Sequence, residues 1–171
     1  MTAYTWRRRG RPRQVPTPGK NARIAVCGAF RWPDGPFVFD HGPKSPNTSC
    51  FLGLLTKLGR RAKATGRRIV LVLDNGSAHT SARSRKALAH LAPLIRAFWL
   101  PPYSSELLND IEGIWGHFKE DYFSQMLVTR RADFYDEAVA FFATLAAPGA
   151  LRRALKPRRR RGVGKKLGKV A

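Results

Sequence analysis

Acidic side chains are scarce in this sequence and are absent from both of its ends. Only 11 of the 171 residues are Asp or Glu, against 32 Lys and Arg, so the formal net charge is +21. Residues 1–20 hold six basic side chains and residues 152–171 hold ten, with no acid in either segment. A compact domain with this imbalance repels itself unless a polyanion is its partner, and nucleic acid is the commonest polyanion. Any functional carboxylate must lie between the two ends.

Cysteine is also rare, and long apolar runs are absent. Cys27 and Cys50 have neither the CxxC nor the Cys/His spacing of a zinc site and give no disulfide framework, which suits a reducing cytosol. No apolar run approaches the roughly 20 residues of a membrane span, and no apolar segment follows the basic N-terminus, so no secretory signal is expected. We therefore expect a soluble protein of the cytoplasm, associated with the nucleoid and with no membrane partner.

Composition divides the chain into three parts. Hydrophobic residues make up 43% of the sequence, enough for one core. Residues 1–20 are rich in Arg, Pro and Gly and are predicted to form a basic extended arm. We expect the folded domain to span residues 21–147, and residues 148–171 to form a basic, disordered tail.

Strand and helix patterns alternate within the predicted domain, which favours an α/β fold with some parallel strand pairing. Asn47 to Ser49 can cap a helix with an apolar face of Phe51, Leu52, Leu55 and Leu58. The continuous apolar run Ile69–Leu73 predicts a strand that is buried on both faces. The other predicted elements are strands at Arg23–Phe30, Pro36–Phe39 and Arg96–Leu100, a turn at 32–35, and helices at Ser81–Leu91, Asp110–Met126 and Ala132–Ala147.

Two acids stand where chemistry is commonly found. Asp74 directly follows the predicted strand Ile69–Leu73, and functional groups collect at the carboxyl ends of strands in α/β sheets. An Asp at this position also forms turns or caps the next helix. Glu112 lies in the first turn of a predicted helix, where an acid complements the helix dipole beside Asp110 as N-cap. From the residues alone, the functional and the structural interpretations of both acids stay open.

Two longer segments carry a family resemblance. Ile69–Ser81 reads IVLVLDNGSAHTS and Leu100–Lys119 reads LPPYSSELLNDIEGIWGHFK, with thirty-seven residues between Asp74 and Glu112. The chain resembles the DDE transposases of the mariner superfamily, in particular their bacterial insertion-sequence branch (the DDE superfamily endonuclease domain). The matching residues of the second segment are Leu100, Pro101, Tyr103, Ser104, Leu107, Asn109, Ile111, Glu112, Trp115 and Lys119, with one extra residue before Asn109.

The resemblance implies a ribonuclease-H-like fold: a mixed sheet flanked by helices, in which three carboxylates hold two Mg²⁺ or Mn²⁺ ions. Asp74 and Glu112 match two of these catalytic metal ligands. Two hard cations bound by oxygen ligands stabilise both the attacking and the leaving oxygens of a phosphoryl displacement. The implied substrate is double-stranded DNA at transposon ends, and the resemblance leaves a homodimer open. The residues predicted to bind nucleic acid are Asn75, His79, Tyr103, Lys119, Arg158, Arg159, Arg160 and Arg161.

Several of these assignments have structural alternatives. His79 can touch the DNA backbone, orient Asp74 or merely cap a helix, and Asn75 is equally ambiguous. Tyr103 is in a predicted loop, where a DNA contact is the minority interpretation. Trp115 and Phe118 are expected in the core rather than as base-stacking platforms. The arginine-rich tail binds DNA by counterion release or is a solvated, disordered end.

The family's first acid has no match in this sequence. It lies on the first, central strand, upstream of a segment that residues 6–16 match, so the chain is expected to be N-terminally truncated and to lack that strand. Asp34 and Asp40 are the only acids before Asp74, and we interpret them as a turn residue and a strand-end cap. The predicted function is therefore a transposase-family protein that is catalytically incomplete alone. A split element completed by an upstream transposase fragment and a non-catalytic, DNA-binding remnant both stay open.

Overall fold

The architecture comes from a computed structural model, which describes residues 23–31, 35–42, 47–102, 104, 109–122, 130–147 and 149–151. Strands and helices alternate along much of this part of the chain. The elements are β1 (Ala25–Phe30), β2 (Phe37–Gly42), α1 (Thr48–Thr65), β3 (Ile69–Leu73), α2 (Ser77–Thr80), α3 (Ala82–His90), β4 (Ile95–Trp99), α4 (Ile111–Gly116), a π-helical turn (His117–Tyr122) and α5 (Arg131–Thr144). The predicted α/β class is confirmed.

The strands form two separate pairs. β1 and β2 are antiparallel, with Ala25 opposite Gly42, whereas β3 and β4 are parallel, with Ile69 opposite Ile95. No ladder joins the pairs within the described residues, so β3 is hydrogen-bonded along one edge only in that part of the chain. A mixed set of strand directions was expected from the family resemblance, whereas the expected absence of a central strand stays a prediction.

Helix α1 covers one side of both strand pairs. It begins as predicted at Asn47, whose side chain accepts a hydrogen bond of 3.0 Å from the amide of Cys50. It ends at Gly66, whose φ of 64° lies in the left-handed region that glycine adopts without strain. The core beneath it combines residues of α1, β1, β3 and β4: Cys27, Cys50, Phe51, Leu54, Leu55, Leu58, Leu71, Leu73 and Ile95.

A second core covers the opposite face of the β1–β2 pair. Phe37 of β2 packs against aromatic rings of α4 and α5, edge-on to Trp115 at a centroid distance of 6.2 Å and tilted against Phe142 at 6.1 Å. Phe118 is buried as predicted, and Trp115 packs against this cluster. Leu151 is also buried in it, so the core extends into the segment for which a tail was predicted.

The prediction that β3 is buried on both faces is wrong. Leu71 and Leu73 point into the core below α1, but Val70 and Val72 are 61% and 55% exposed. Phe98, opposite Val72 on β4, is also exposed, at 49%. The helices that cover the second face of the β1–β2 pair leave this face of the β3–β4 pair open in the described part of the chain.

Asp40 also differs from its prediction as a strand-end cap. It lies inside β2, opposite Cys27, and forms an ion pair of 2.8 Å with Lys57 of α1. Gly53 makes this possible, because a Cβ at that position would collide with the Asp40 carboxylate. Asp34 lies outside the described residues, as does most of the predicted turn around it.

The remaining differences concern element boundaries. β2 is longer than predicted, β4 begins and ends one residue earlier, and α5 ends at Thr144. The short helix α2 was not predicted, and the helix expected from Asp110 changes to π geometry at His117. Residues 123–126 of that predicted helix lie outside the described residues.

Candidate active site

The ends of β3 and β4 are joined at the point where the first candidate acid appears. The Leu100 amide donates a hydrogen bond of 2.7 Å to the Leu73 carbonyl. The Asn75 side-chain amide donates a bond of 2.8 Å to the Leu100 carbonyl. These two contacts extend the parallel ladder beyond the strands, so Asp74 projects from a fixed sheet edge. The observed contact of Asn75 is therefore a structural one. Its predicted role in DNA binding stays a prediction.

One oxygen of Asp74 receives two hydrogen bonds. Its Oδ1 accepts from the Gly76 amide at 2.9 Å and lies 2.7 Å from Nδ1 of His79. A Cβ at Gly76 would come 3.0 Å from the same oxygen, so glycine permits the tight turn after β3. The two contacts restrain the carboxylate, while its side chain remains 25% exposed and accessible to a ligand.

The His79 ring is itself held in place from two directions. It lies in α2, whose first turn brings its amide to within 2.9 Å of the Gly76 carbonyl. Its ring packs on Phe51 of α1, with centroids 4.5 Å apart. A hydrogen bond of 3.1 Å between the hydroxyls of Thr48 and Ser81 joins the starts of α1 and α3 beside it. The sequence left three interpretations of His79 open: a contact with DNA, orientation of Asp74, or a helix cap. The structure favours orientation of Asp74.

Glu112 lies at the start of another element. Its amide donates to the Asn109 carbonyl at 3.2 Å, which begins α4, and its side chain is exposed. Two residues later Ile114 is fully buried and fixes α4 against the second core. Lys119, also exposed, follows on the π-helical turn beside the buried Phe118. Glu112 is thus an accessible carboxylate on an anchored helix.

The structure brings together only some of the predicted site residues. Asp74 and His79 are in direct contact, and Asn75 secures the same sheet edge. In the described part of the chain, no hydrogen bond or ion pair joins Glu112 to Asp74. Tyr103 and the four predicted DNA-binding arginines, Arg158 to Arg161, lie outside the described residues. Phe51 and Gly76, which position His79 and Asp74, were not predicted as site residues.

Comparisons with known proteins identify the family. The model of the DDE superfamily endonuclease domain matches residues 1–134. The chain belongs to this family. The resemblance read from the two sequence segments is therefore confirmed.

Two relatives of this DDE family member extend the comparison. It is 34% identical over 113 residues to the uncharacterized 39 kDa protein of insertion element IS630 from Shigella sonnei. That match covers 64% of this chain and 31% of the relative, so the chain spans about a third of the relative's length. The catalytic domain of the Mos1 mariner transposase has a similar fold, with a TM-score of 0.52 at 15% identity, covering 77% of this chain and 74% of that one. The predicted ribonuclease-H-like fold class is confirmed.

Endonucleases of the DDE family generally use divalent metal ions, and the candidate ligands suit such an ion in kind. Asp74 and Glu112 offer carboxylate oxygens, the donors that Mg²⁺ and Mn²⁺ prefer. Among the described residues, however, no three His, Cys, Asp or Glu side chains are grouped closely enough to hold a metal. Within the described residues, the donor set therefore fits the metal in chemistry but not in number.

No helix in the described ranges has both the length and the apolar character needed to cross a membrane.

Proposed function

We propose that this chain acts in DNA transposition, as the part of a DDE transposase catalytic domain that carries Asp74 and Glu112. The observation that carries the proposal is the restrained Asp74 carboxylate at the end of β3, inside a segment matched by the family model. The reaction is cleavage of a DNA strand and transfer of its end. The proposed place of action is the cytoplasm, on nucleoid DNA.

Each residue of the site has a distinct role in this proposal. Asp74 and Glu112 hold the divalent metal, which when bound supplies the positive charge that stabilises phosphoryl displacement. His79 fixes the orientation of Asp74 through its bond to Oδ1, and Asn75 fixes the sheet edge from which Asp74 projects. No protein nucleophile is needed, because water or a DNA 3′-hydroxyl attacks the phosphate. Lys119 and Tyr103 are proposed to contact the DNA backbone.

We further propose that a third carboxylate comes from a segment added to the free edge of β3. Two carboxylates carry a formal charge of −2 against the +4 of a metal pair, so two ligands hold it weakly. Strand addition suits this edge because β3 is paired only with β4 in the described part of the chain. An upstream transposase fragment is the proposed donor, and the chain alone is proposed to be catalytically inactive. A homodimer is compatible with this arrangement.

A second candidate function is non-catalytic binding of nucleic acid by a remnant of a transposase. The absence of a three-ligand metal group from the described residues favours it, as does the net charge of +21. The two candidates differ in one respect, namely whether activity appears when a third acid is supplied.

A nicking assay on supercoiled plasmid separates the two candidates. The chain is incubated with plasmid and Mg²⁺ or Mn²⁺, with and without a fragment encoded immediately upstream that carries an acid-bearing strand. We expect no nicking by the chain alone and metal-dependent nicking by the mixture. Nicking should be lost in Asp74→Asn and Glu112→Gln, while Asp136→Asn, which removes an exposed carboxylate of α5, should retain it.

The outcomes are distinct. Metal-dependent nicking by the chain alone that disappears in Asp74→Asn would contradict the proposed incompleteness. A mixture that binds plasmid but never nicks it would favour the non-catalytic remnant.

A further inference from the structure

The folded part of the chain has a charge asymmetry of its own. Residues 41–105 contain eleven Lys and Arg but a single acid, Asp74. Eight of the eleven acids lie after residue 105. The basic character is therefore not confined to the two ends, and α1 and α3, which lie within 41–105, carry much of it.

Helices α1 and α3 lie side by side, and their starts are at the same end. The Thr48 and Ser81 hydroxyls join their first turns at 3.1 Å. Eleven residues further along α1, a Cβ at Gly59 would come 3.2 Å from the Leu91 side chain, just past the end of α3. A shallow groove runs between the helices, with an apolar floor that includes Leu55 and Leu94.

Basic side chains lie along both sides of this groove. Arg60 and Lys63 lie on the α1 side and His90 on the α3 side. Arg83 and Lys86 precede His90 by seven and four residues, so they share its face of α3. All five side chains are exposed. In the part of the chain that the structure describes, the ion pairs involve Lys57, His79 and Arg130, and none of these five residues.

We propose that the α1–α3 face, defined by Arg60, Lys63, Arg83, Lys86 and His90, binds the phosphate backbone of duplex DNA. Two rows of cations without acids suit a polyanion that carries one charge per about 1.7 Å of its axis. Cations of this kind position a duplex without reading its sequence. The helices that carry this face begin beside the site, because the buried Phe51 in the first turn of α1 packs on His79 and the Thr48 hydroxyl joins α1 to Ser81 at the start of α3. DNA held along it is directed to Asp74.

The choice of DNA rests on the proposed function, but the test measures binding and not cleavage. Lysine acylation of the full chain is followed by mass spectrometry, with and without a random-sequence duplex and without metal. We expect the duplex to protect Lys63 and Lys86. Lys57, which lies on α1 but is paired with Asp40, should react equally in both conditions. Protection by duplex RNA and not by duplex DNA would overturn the choice of partner.

A charge variant tests the same face independently. Arg60→Gln, Lys63→Gln, Arg83→Gln and Lys86→Gln are combined in the full chain, so the tail is unchanged. The slope of log affinity against log salt should become shallower by about 3.6, because each phosphate contact contributes about 0.9. The matched control replaces four exposed cations elsewhere, Arg23, Arg31, Arg96 and Arg130, by Gln.

The control should change the slope by less than one unit. Equal changes in the two variants would show that only total charge matters and would overturn the proposal. A shallower salt slope in the groove variant, together with no plasmid nicking by the mixture, would establish that this face binds DNA without the proposed catalysis.

Discussion

At the scale of single residues, the contact between His79 and Asp74 is the most informative in the molecule. An unrestrained carboxylate at a sheet edge rotates freely in water. A carboxylate that binds a metal ion has to hold its oxygens in one orientation, so restraint of this rotation favours binding. The imidazole at 2.7 Å and the Gly76 amide at 2.9 Å act on the same oxygen, which limits that rotation. Because Phe51 packs on the imidazole, the packing of α1 contributes to the orientation of Asp74.

Replacing His79 by Ala should therefore destabilise the fold. The change removes a hydrogen bond to a carboxylate and the ring that packs on Phe51, and we expect a loss of about 1–2 kcal/mol in the free energy of unfolding. Urea denaturation measures this loss. His90→Ala is the control, because His90 is exposed, and it should change the stability by less than about 0.5 kcal/mol. Equal effects of the two changes would contradict a structural role for the Asp74–His79 contact.

Local patterns located Asp74 at a strand end and Glu112 at a helix start, as the structure has them. Only the family resemblance assigned both acids to a metal site, and that assignment stays a prediction. The sequence did not predict Phe51 as a neighbour of His79, because the two are far apart in the chain and only the packing of α1 brings them together. The sequence likewise did not predict that Cys27 and Cys50 would be neighbours. Both are buried as free cysteines. The Cys50 thiol donates a hydrogen bond of 3.3 Å to the Asp40 carbonyl. The neighbouring Cys50 thiol, together with burial, raises the pKa of Cys27, whereas the Cys27 thiol lowers the pKa of Cys50.

At the scale of elements, β3 shows what a continuous apolar run leaves undetermined. Ile69–Leu73 has no alternation of polar and apolar residues, so its pattern predicts a strand but not which face is covered. The structure covers Leu71 and Leu73 with α1 and leaves Val70 and Val72 exposed. The π-helical turn at His117–Tyr122 was also unpredictable, because the apolar stripe through Ile114 and Phe118 fits a regular helix.

Substitutions on the two faces of β3 should have unequal effects. Leu71→Ala creates a cavity in the core beneath α1 and should cost about 2–4 kcal/mol of unfolding free energy. Val72→Thr retains strand propensity on an exposed face and should change the stability by less than about 0.5 kcal/mol. Chemical denaturation of both variants measures the difference. A large loss in Val72→Thr would mean that something covers this face in solution.

At the scale of the whole molecule, positive charge is the dominant property. Its two basic ends and the α1–α3 face all attract the same polyanion, so their contributions to DNA affinity should add. The ends were evident from the sequence, because acid-free runs are visible by inspection. The α1–α3 face was not, because its cations are spaced along two helices and align only in the folded chain.

Removing residues 152–171 should weaken DNA binding and its dependence on salt. The segment holds ten basic residues, including Arg158 to Arg161, and no acid. Each phosphate contact that is lost lowers the salt slope by about 0.9, so a decrease of several units is expected. Fluorescence anisotropy on a labelled duplex at five salt concentrations measures it. An unchanged slope would show that the segment makes no contact with DNA.

The open face of β3–β4 also governs how the protein behaves at high concentration. Val70, Val72 and Phe98 form an apolar strip beside a strand edge that has no partner among the described residues, the kind of surface through which identical chains aggregate. Mutual repulsion between copies that each carry +21 opposes this, and its range shrinks from about 30 Å at 0.01 M salt to about 8 Å at 0.15 M. Colloidal stability should therefore fall as salt rises, which light scattering would detect as growing particles. Val72→Lys should suppress that growth, and growth that is unaffected would assign the aggregation to another surface.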